Sequence, residues 1–188
     1  TGVQEVFVHA ILDGRDTVFN VGIDFITTLQ EQMQTIGVGR IASITGRYFA
    51  MDRDTRWDRT QKAYEAMVLG RGEQAEDPLL AIKSSYQKEV YDEEFVPTVI
   101  IENGKPIGSV EENDAVIFFN FRPDRMRQLT KAFVLPSFDG FSRSLLSNLF
   151  PVTFVEYEKG LPVEVAFLPE PIEHCLAQVI SEAGLTQL

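Results

Sequence analysis

Arginines beside aspartates, placed where apolar β-type runs stop, are the residues of this chain best suited to chemistry. Residues 6–12 run into Asp13-Gly14-Arg15-Asp16, and residues 40–45 run into Gly46-Arg47, followed by Asp52-Arg53-Asp54. Residues 115–120 run into Phe121-Arg122-Pro123-Asp124-Arg125. A guanidinium offers a planar fork of donors that grips carboxylate or phosphate oxygens two at a time. In an α/β fold, ligands bind at the carboxyl ends of strands, so three such ends can surround one anionic molecule. Arg122 and Arg125 lie about one turn apart at an expected helix start, where free backbone N–H groups also favour an anion. Asp16 suits a different role, because an aspartate kept ionised among cations can accept a proton from a substrate hydroxyl. Asp54 and Asp124 read as helix caps or arginine partners.

The net charge makes these arginines more pointed. With 28 acidic and 17 basic residues, the chain has a formal charge of -11 and no general reason to attract anions. Clustered arginines therefore imply a local site for a small molecule. The same charge argues against broad binding to nucleic acid or an anionic membrane. Arg56, Arg59, Arg71 and Arg127 read as solvated and stay outside the site. One cysteine, Cys175, excludes an internal disulfide and fits a reducing compartment. Two histidines and one cysteine make no ordinary zinc set, so no metal site is expected within the chain. His9 lies in an apolar run, as a core histidine would, and His174 and Cys175 are expected on an amphipathic helix. No apolar run approaches the roughly 20 residues of a membrane span, and the first residues lack a charged-then-apolar leader.

The elements that must position these residues alternate between strand and helix. Strands are expected over residues 5–12, 41–45, 116–120 and 152–157. Helices are expected over 20–35 with Gly37 as stop, and from Asp54 as cap to Gly70, with Trp57, Tyr64, Met67 and Val68 on the buried face. Asp77-Pro78 opens another helix, and Pro123 suits the first turn of the next. Asn103-Gly104 between apolar runs is a strong hairpin signal. Residues 135–149 read as an irregular connection, and Glu170-Pro171 as the start of a last helix ending at Gly184. The pattern predicts an α/β fold: a central, mostly parallel sheet flanked by helices, with a small β-hairpin.

Three strings carry a family resemblance: HAILDGRDT (9–17), ITGRYFAMDRDTRWDRTQKAYEAMV (44–68) and FFNFRPDRMRQL (118–129). They resemble the cofactor-independent (2,3-bisphosphoglycerate-independent) phosphoglycerate mutases, in order and over nearly the whole chain. Val18-Phe19 stand where that family often has two prolines. The resemblance implies that residues 1–188 form the substrate-binding phosphotransferase domain of a two-domain, cytoplasmic isomerase of glycolysis and gluconeogenesis. It implies interconversion of 3-phosphoglycerate and 2-phosphoglycerate through a phosphoserine intermediate. By motif, Arg15, Asp16, Arg47, Arg53, Arg122 and Arg125 correspond to substrate-binding residues, with Asp16 the proton acceptor and donor. The partner implied is a phosphatase-like domain of the same polypeptide, holding two manganese ions and the accepting serine. None of its metal-site motifs is in this chain, so the chain is expected to be a domain without mutase activity alone. From the residues without the resemblance, a stand-alone module that binds phosphorylated metabolites fits as well.

Overall fold

Among the residues that the computed structural model describes, 2–168 and 174–186, eight strands divide between two sheets. The first holds β1 (Phe7–Leu12), β2 (Arg40–Gly46), β3 (Glu73–Ala75), β4 (Thr98–Glu102) and β5 (Lys105–Pro106). Its order is β1-β2-β4-β3, with β5 paired to β4. The second holds β6 (Ala115–Phe118), β7 (Phe150–Val155) and β8 (Glu164–Phe167), all parallel. β1 pairs parallel with β2 and β3 with β4, while β2–β4 and β4–β5 are antiparallel. Pairing is thus mostly parallel, as expected, with the strands divided between two sheets rather than gathered in one central sheet.

The described residues form six helices: α1 (Gly22–Ile36), α2 (Arg47–Ala50), α3 (Trp57–Val68), α4 (Pro78–Gln87), α5 (Pro123–Val134) and α6 (Leu176–Glu182). Among them, α4 starts as expected: the Asp77 side chain accepts from the Leu80 N–H, with Pro78 in the first turn. The hairpin also holds, with positive φ at both Asn103 and Gly104, as its two-residue turn demands. Strand β2 is buried from Ile41 to Gly46, so it reads as a continuous run of apolar and small residues.

Two apolar clusters fix the layers. Ile26 of α1, Ile82 of α4, Ile44 of β2 and Ile100 of β4 form one. Tyr64 and Met67 of α3, Met126, Leu129 and Phe133 of α5, Phe118 of β6 and Tyr157 form the other. This second cluster locks the two sheets together, since it takes side chains from elements on both sides. Each large side chain buried there contributes about 1.5–3 kcal/mol.

Four local expectations are corrected. Asp54 does not cap α3, which takes no side-chain cap; Asp52 Oδ1 instead accepts the N–H groups of Asp54 and Arg56 at 3.0 Å each, in the turn that leads into the helix. Arg47 does not sit in a loop but opens α2. His174 and Cys175 precede α6 rather than lying on it, and α6 buries no residue. The expected start of that helix at Glu170-Pro171 lies outside the described residues. Finally, β3 and β8 add strands where none is expected, because neither carries an alternating apolar pattern.

Candidate functional site

Three chain reversals bring the cationic side chains together. After β1, Asp13 Oδ1 accepts the backbone N–H groups of Arg15 and Asp16 at 3.0 Å, folding the turn that presents Asp16. At the end of β2, Gly46 passes so close to the 3-10 turn Asp92–Glu94 that a Cβ would lie 2.4 Å from the Glu93 carbonyl oxygen. The next residue, Arg47, is thereby carried inward, and its side chain is only 2% exposed. After β6, the Tyr157 hydroxyl reaches the carbonyls of Phe118 and Asn120 at 2.8 and 2.6 Å. Asn120 Oδ1 in turn accepts the Arg122 N–H at 2.8 Å, setting Arg122 at the start of α5.

The side chains form a continuous ionic chain across the junction of the sheets. Arg47 Nη1 donates to Asp13 Oδ1 at 2.5 Å and to Asp16 Oδ2 at 2.9 Å. The same Asp16 oxygen accepts from Arg122 Nη1 at 3.3 Å, so Asp16 joins an arginine of the first sheet to one of the second. Arg122 Nε donates to Asp124 Oδ1 at 3.0 Å, and Arg53 Nη1 to Asp124 Oδ2 at 2.6 Å. Arg125 lies alongside and donates from Nη1 to the Met51 carbonyl at 3.2 Å. Two donors here are buried without a partner among the described residues: Arg47 Nη2 and Arg125 Nε. Unpaired buried donors are costly, and an arriving anion would satisfy them.

The electrostatics agree with a site short of negative charge. Burial alone would raise the Asp13 carboxyl, but the Asp16 N–H, the Arg47 guanidinium and the Arg15 N–H hold it below the usual range. Asp124 shows the same balance, with Arg53 and Arg122 outweighing burial. Burial also works against the Arg47 charge, yet its bonds to Asp16 and Asp13 raise its pKa. Arg125 is pushed down by burial first, then by repulsion from Arg53, Arg47 and Arg122. Four guanidinium groups thus surround three carboxylates, and Arg125 is the one left without a carboxylate of its own.

Of the residues picked from sequence, Asp16, Arg47, Arg53 and Arg122 are joined in one network, with Arg125 beside it. Arg15 departs from the group: 64% exposed, it pairs with Glu93 at 3.3 Å. Asp13 was not singled out, although an aspartate before a glycine at a strand end was signal enough. Arg59, read as solvated, instead lies 3.6 Å above the Tyr48 ring centre and 3.7 Å from Asp52. His9 is expected in the core but is only partly buried and belongs to neither apolar cluster; its Nδ1 lies 2.8 Å from Ser43 Oγ, and burial lowers its pKa to about 4.

Two other places do not compete for the role. A cavity of about 630 Å³ lies at the opposite ends of β1 and β2, but its only arginine, Arg40, is paired with Glu102, and Glu5, Glu76 and Asp77 share its wall. No three His, Cys, Asp or Glu side chains among the described residues are grouped to hold a metal ion. The residues present therefore do not fit a metal centre. No described helix is long and apolar enough to cross a membrane.

Residues 1–159 match the family model described as "BPG-independent PGAM N-terminus". The 2,3-bisphosphoglycerate-independent phosphoglycerate mutase of Clostridium acetobutylicum is 49% identical over 187 residues, covering 99% of this chain and 36% of that protein. The protein of the same name from Clostridium novyi is 49% identical over 189 residues, covering 100% of this chain and 37% of its own length. A crystal structure of Leishmania mexicana phosphoglycerate mutase at low cobalt concentration superposes with a TM-score of 0.87 at 27% identity. It covers 97% of this chain and 35% of that one. The chain thus spans about a third of the length of these relatives. With the family model matched over most of its length, the chain belongs to the BPG-independent phosphoglycerate mutase N-terminus family.

Proposed function

We propose that residues 1–188 are the substrate-binding phosphotransferase domain of a 2,3-bisphosphoglycerate-independent phosphoglycerate mutase, a cytoplasmic isomerase of glycolysis and gluconeogenesis. The observation that carries this reading is the pair of buried donors without a partner among the described residues, Arg47 Nη2 and Arg125 Nε, beside Asp16, where the ends of three strands meet. Phosphoglycerate offers a carboxylate, a phosphate and a free hydroxyl. Arg47, Arg53, Arg122 and Arg125 supply forks for the two anionic groups, and Arg15 joins them on leaving Glu93.

Asp16 then faces the hydroxyl. Both of its ion pairs fall on Oδ2, which leaves Oδ1 to take the proton as that hydroxyl attacks the phosphoryl group. In the reverse transfer it returns the proton. Holding glycerate while it turns between transfers is a matter of positioning, which pre-arranged guanidinium groups perform without reorganisation. The phosphoryl-accepting serine and two manganese ions belong, in this reading, to a phosphatase-like domain of the same polypeptide. Those ions would supply charge neutralisation at the phosphoryl group. Closure of that domain over Asp16 and the arginines excludes water, which would otherwise hydrolyse the phosphoenzyme.

The test has two arms. The purified 188-residue chain is expected to turn over no 3-phosphoglycerate, and measurable turnover free of contaminating mutase contradicts the division of labour. In the complete polypeptide, Arg122→Ala or Arg125→Met should lower kcat/KM by roughly 100-fold or more with the fold retained. Activity that survives both replacements removes these arginines from the site.

A further inference from the structure

Resting on that reading of the site, we propose that Gln128 is a positioning residue that holds Arg53 in register with Arg122 and Arg125. Gln128 lies in α5, one turn and a half beyond Arg122, and is buried with 6% exposure. Its amide makes three hydrogen bonds, two to the segment that carries Arg53 and one to Thr60 of α3. Its Nε2 donates to Asp52 Oδ1 at 3.0 Å and to Thr60 Oγ1 at 3.2 Å, and its Oε1 accepts the Thr55 N–H at 2.7 Å. The orientation of the amide follows from the Thr55 N–H, which only donates and so must meet the amide oxygen.

The segment needs such a clamp. Thr55 has φ of 59°, a left-handed conformation that a β-branched residue adopts only when its surroundings impose it. Asp52, the other end of the clamp, holds the N–H groups of Asp54 and Arg56 on the oxygen that also meets Gln128. Arg53 is therefore flanked on both sides by residues tied to one side chain of α5. That same helix begins at Arg122 and carries Asp124, the partner of Arg53. Without Gln128, the segment 52–56 is free to relax at Thr55, and its alignment with α5 then rests on the half-exposed ion pair of Arg53 with Asp124 and on the bond from Arg125 to the Met51 carbonyl just before it.

Gln128→Met keeps the volume of the side chain and removes all three hydrogen bonds. Two readings in the 188-residue chain decide the matter: the carboxyl titration of Asp124 by NMR, and the affinity for 3-phosphoglycerate. With Gln128→Met, Asp124 should titrate closer to an ordinary carboxylate while Asp13, across the network, keeps its depressed value. Affinity should fall about tenfold in the parent background and not at all in an Arg53→Ala background. Unchanged Asp124 titration, or equal movement at Asp13 and Asp124, overturns the proposal. So does a loss of affinity that persists once Arg53 is gone. If Gln128→Met does not fold, Gln128→Glu gives the same readings, keeping the acceptor for Thr55 and setting a carboxylate against Asp52. A parent chain that binds no 3-phosphoglycerate, with Asp124 still shifted by the variant, supports the clamp and refutes the ligand.

Discussion

The two halves of the arginine network differ in how much water reaches them. On the side of the first sheet, Arg47 is 2% exposed and holds both Asp13 and Asp16. On the side of the second, Arg53 is 46% exposed, Arg122 39% and Asp124 37%. A guanidinium buried at the end of a buried strand cannot leave its carboxylates without exposing a charge to an apolar surrounding. Half-exposed pairs exchange partners with water at little cost. The first half is therefore the more fixed of the two, and in the proposed reading the second is an adjustable grip on the ligand. Asp16 connects them, which suits a residue that must stay in place while its surroundings move.

The largest effect on binding should come from removing Arg47, the anchor of the more fixed half. Arg47→Met is expected to cost about 1–2 kcal/mol of stability in urea unfolding, because the Asp13 turn loses its charged hydrogen bond from a buried guanidinium while Asp16 is left to water. It should also abolish detectable 3-phosphoglycerate binding. Retained stability would show that Arg47 is no more embedded than Arg53, and the contrast would fail.

Acid should attack the anchor side next. His9 of β1 has a folded pKa of about 4 against 6.5 ordinarily, so the unfolded chain takes a proton that the folded chain refuses. Its contribution is complete above pH 6.5 and is lost as the pH falls toward 4, about 3 kcal/mol in all. Asp13, also depressed, extends the loss below the ordinary carboxylate range. Buried Asp92 acts oppositely, since burial raises its pKa and its protonation favours the fold. Urea midpoints followed from pH 7 to pH 4 should fall in the parent and flatten in His9→Gln.

The grip should respond to milder changes. Arg53→Ala is expected to shift stability by less than about 1 kcal/mol, while weakening 3-phosphoglycerate binding about tenfold. A stability loss as large as that of Arg47→Met would erase the distinction. The smallest effect is ionic. Raising salt to about 1 M, where screening acts within about 3 Å, should move the Asp124 titration toward ordinary values more than that of Asp13.

What sequence could reveal follows the same division. Strand ends bearing Arg and Asp were legible because β1, β2 and β6 are apolar runs with abrupt polar stops, and most of the network lay at those stops. The hairpin at Asn103-Gly104 and the cap at Asp77 were legible because each depends on residues adjacent in the chain. Gln128 was not, since its three partners are 68 to 76 positions away and an amide in a helix carries no local signal. That Asp54 leaves α3 uncapped while Asp52 holds the turn before it depended on the Thr55 backbone, which no pattern of residue types announces. Arg15 was placed with the other arginines by its motif, yet Glu93, 78 positions away, holds it. The split into two sheets escaped as well, because short strands of similar composition do not state which neighbour they will pair with.

The central claim is that Arg47, Arg53, Arg122 and Arg125 receive one phosphoglycerate. Titrating 3-phosphoglycerate into the chain while following the arginine side-chain N–H signals by NMR tests it directly. The account predicts saturable shifts at these four, larger than any at Arg40 or Arg71, with Arg15 changing as it leaves Glu93. No response at millimolar ligand, or shifts spread evenly over all arginines, would contradict it.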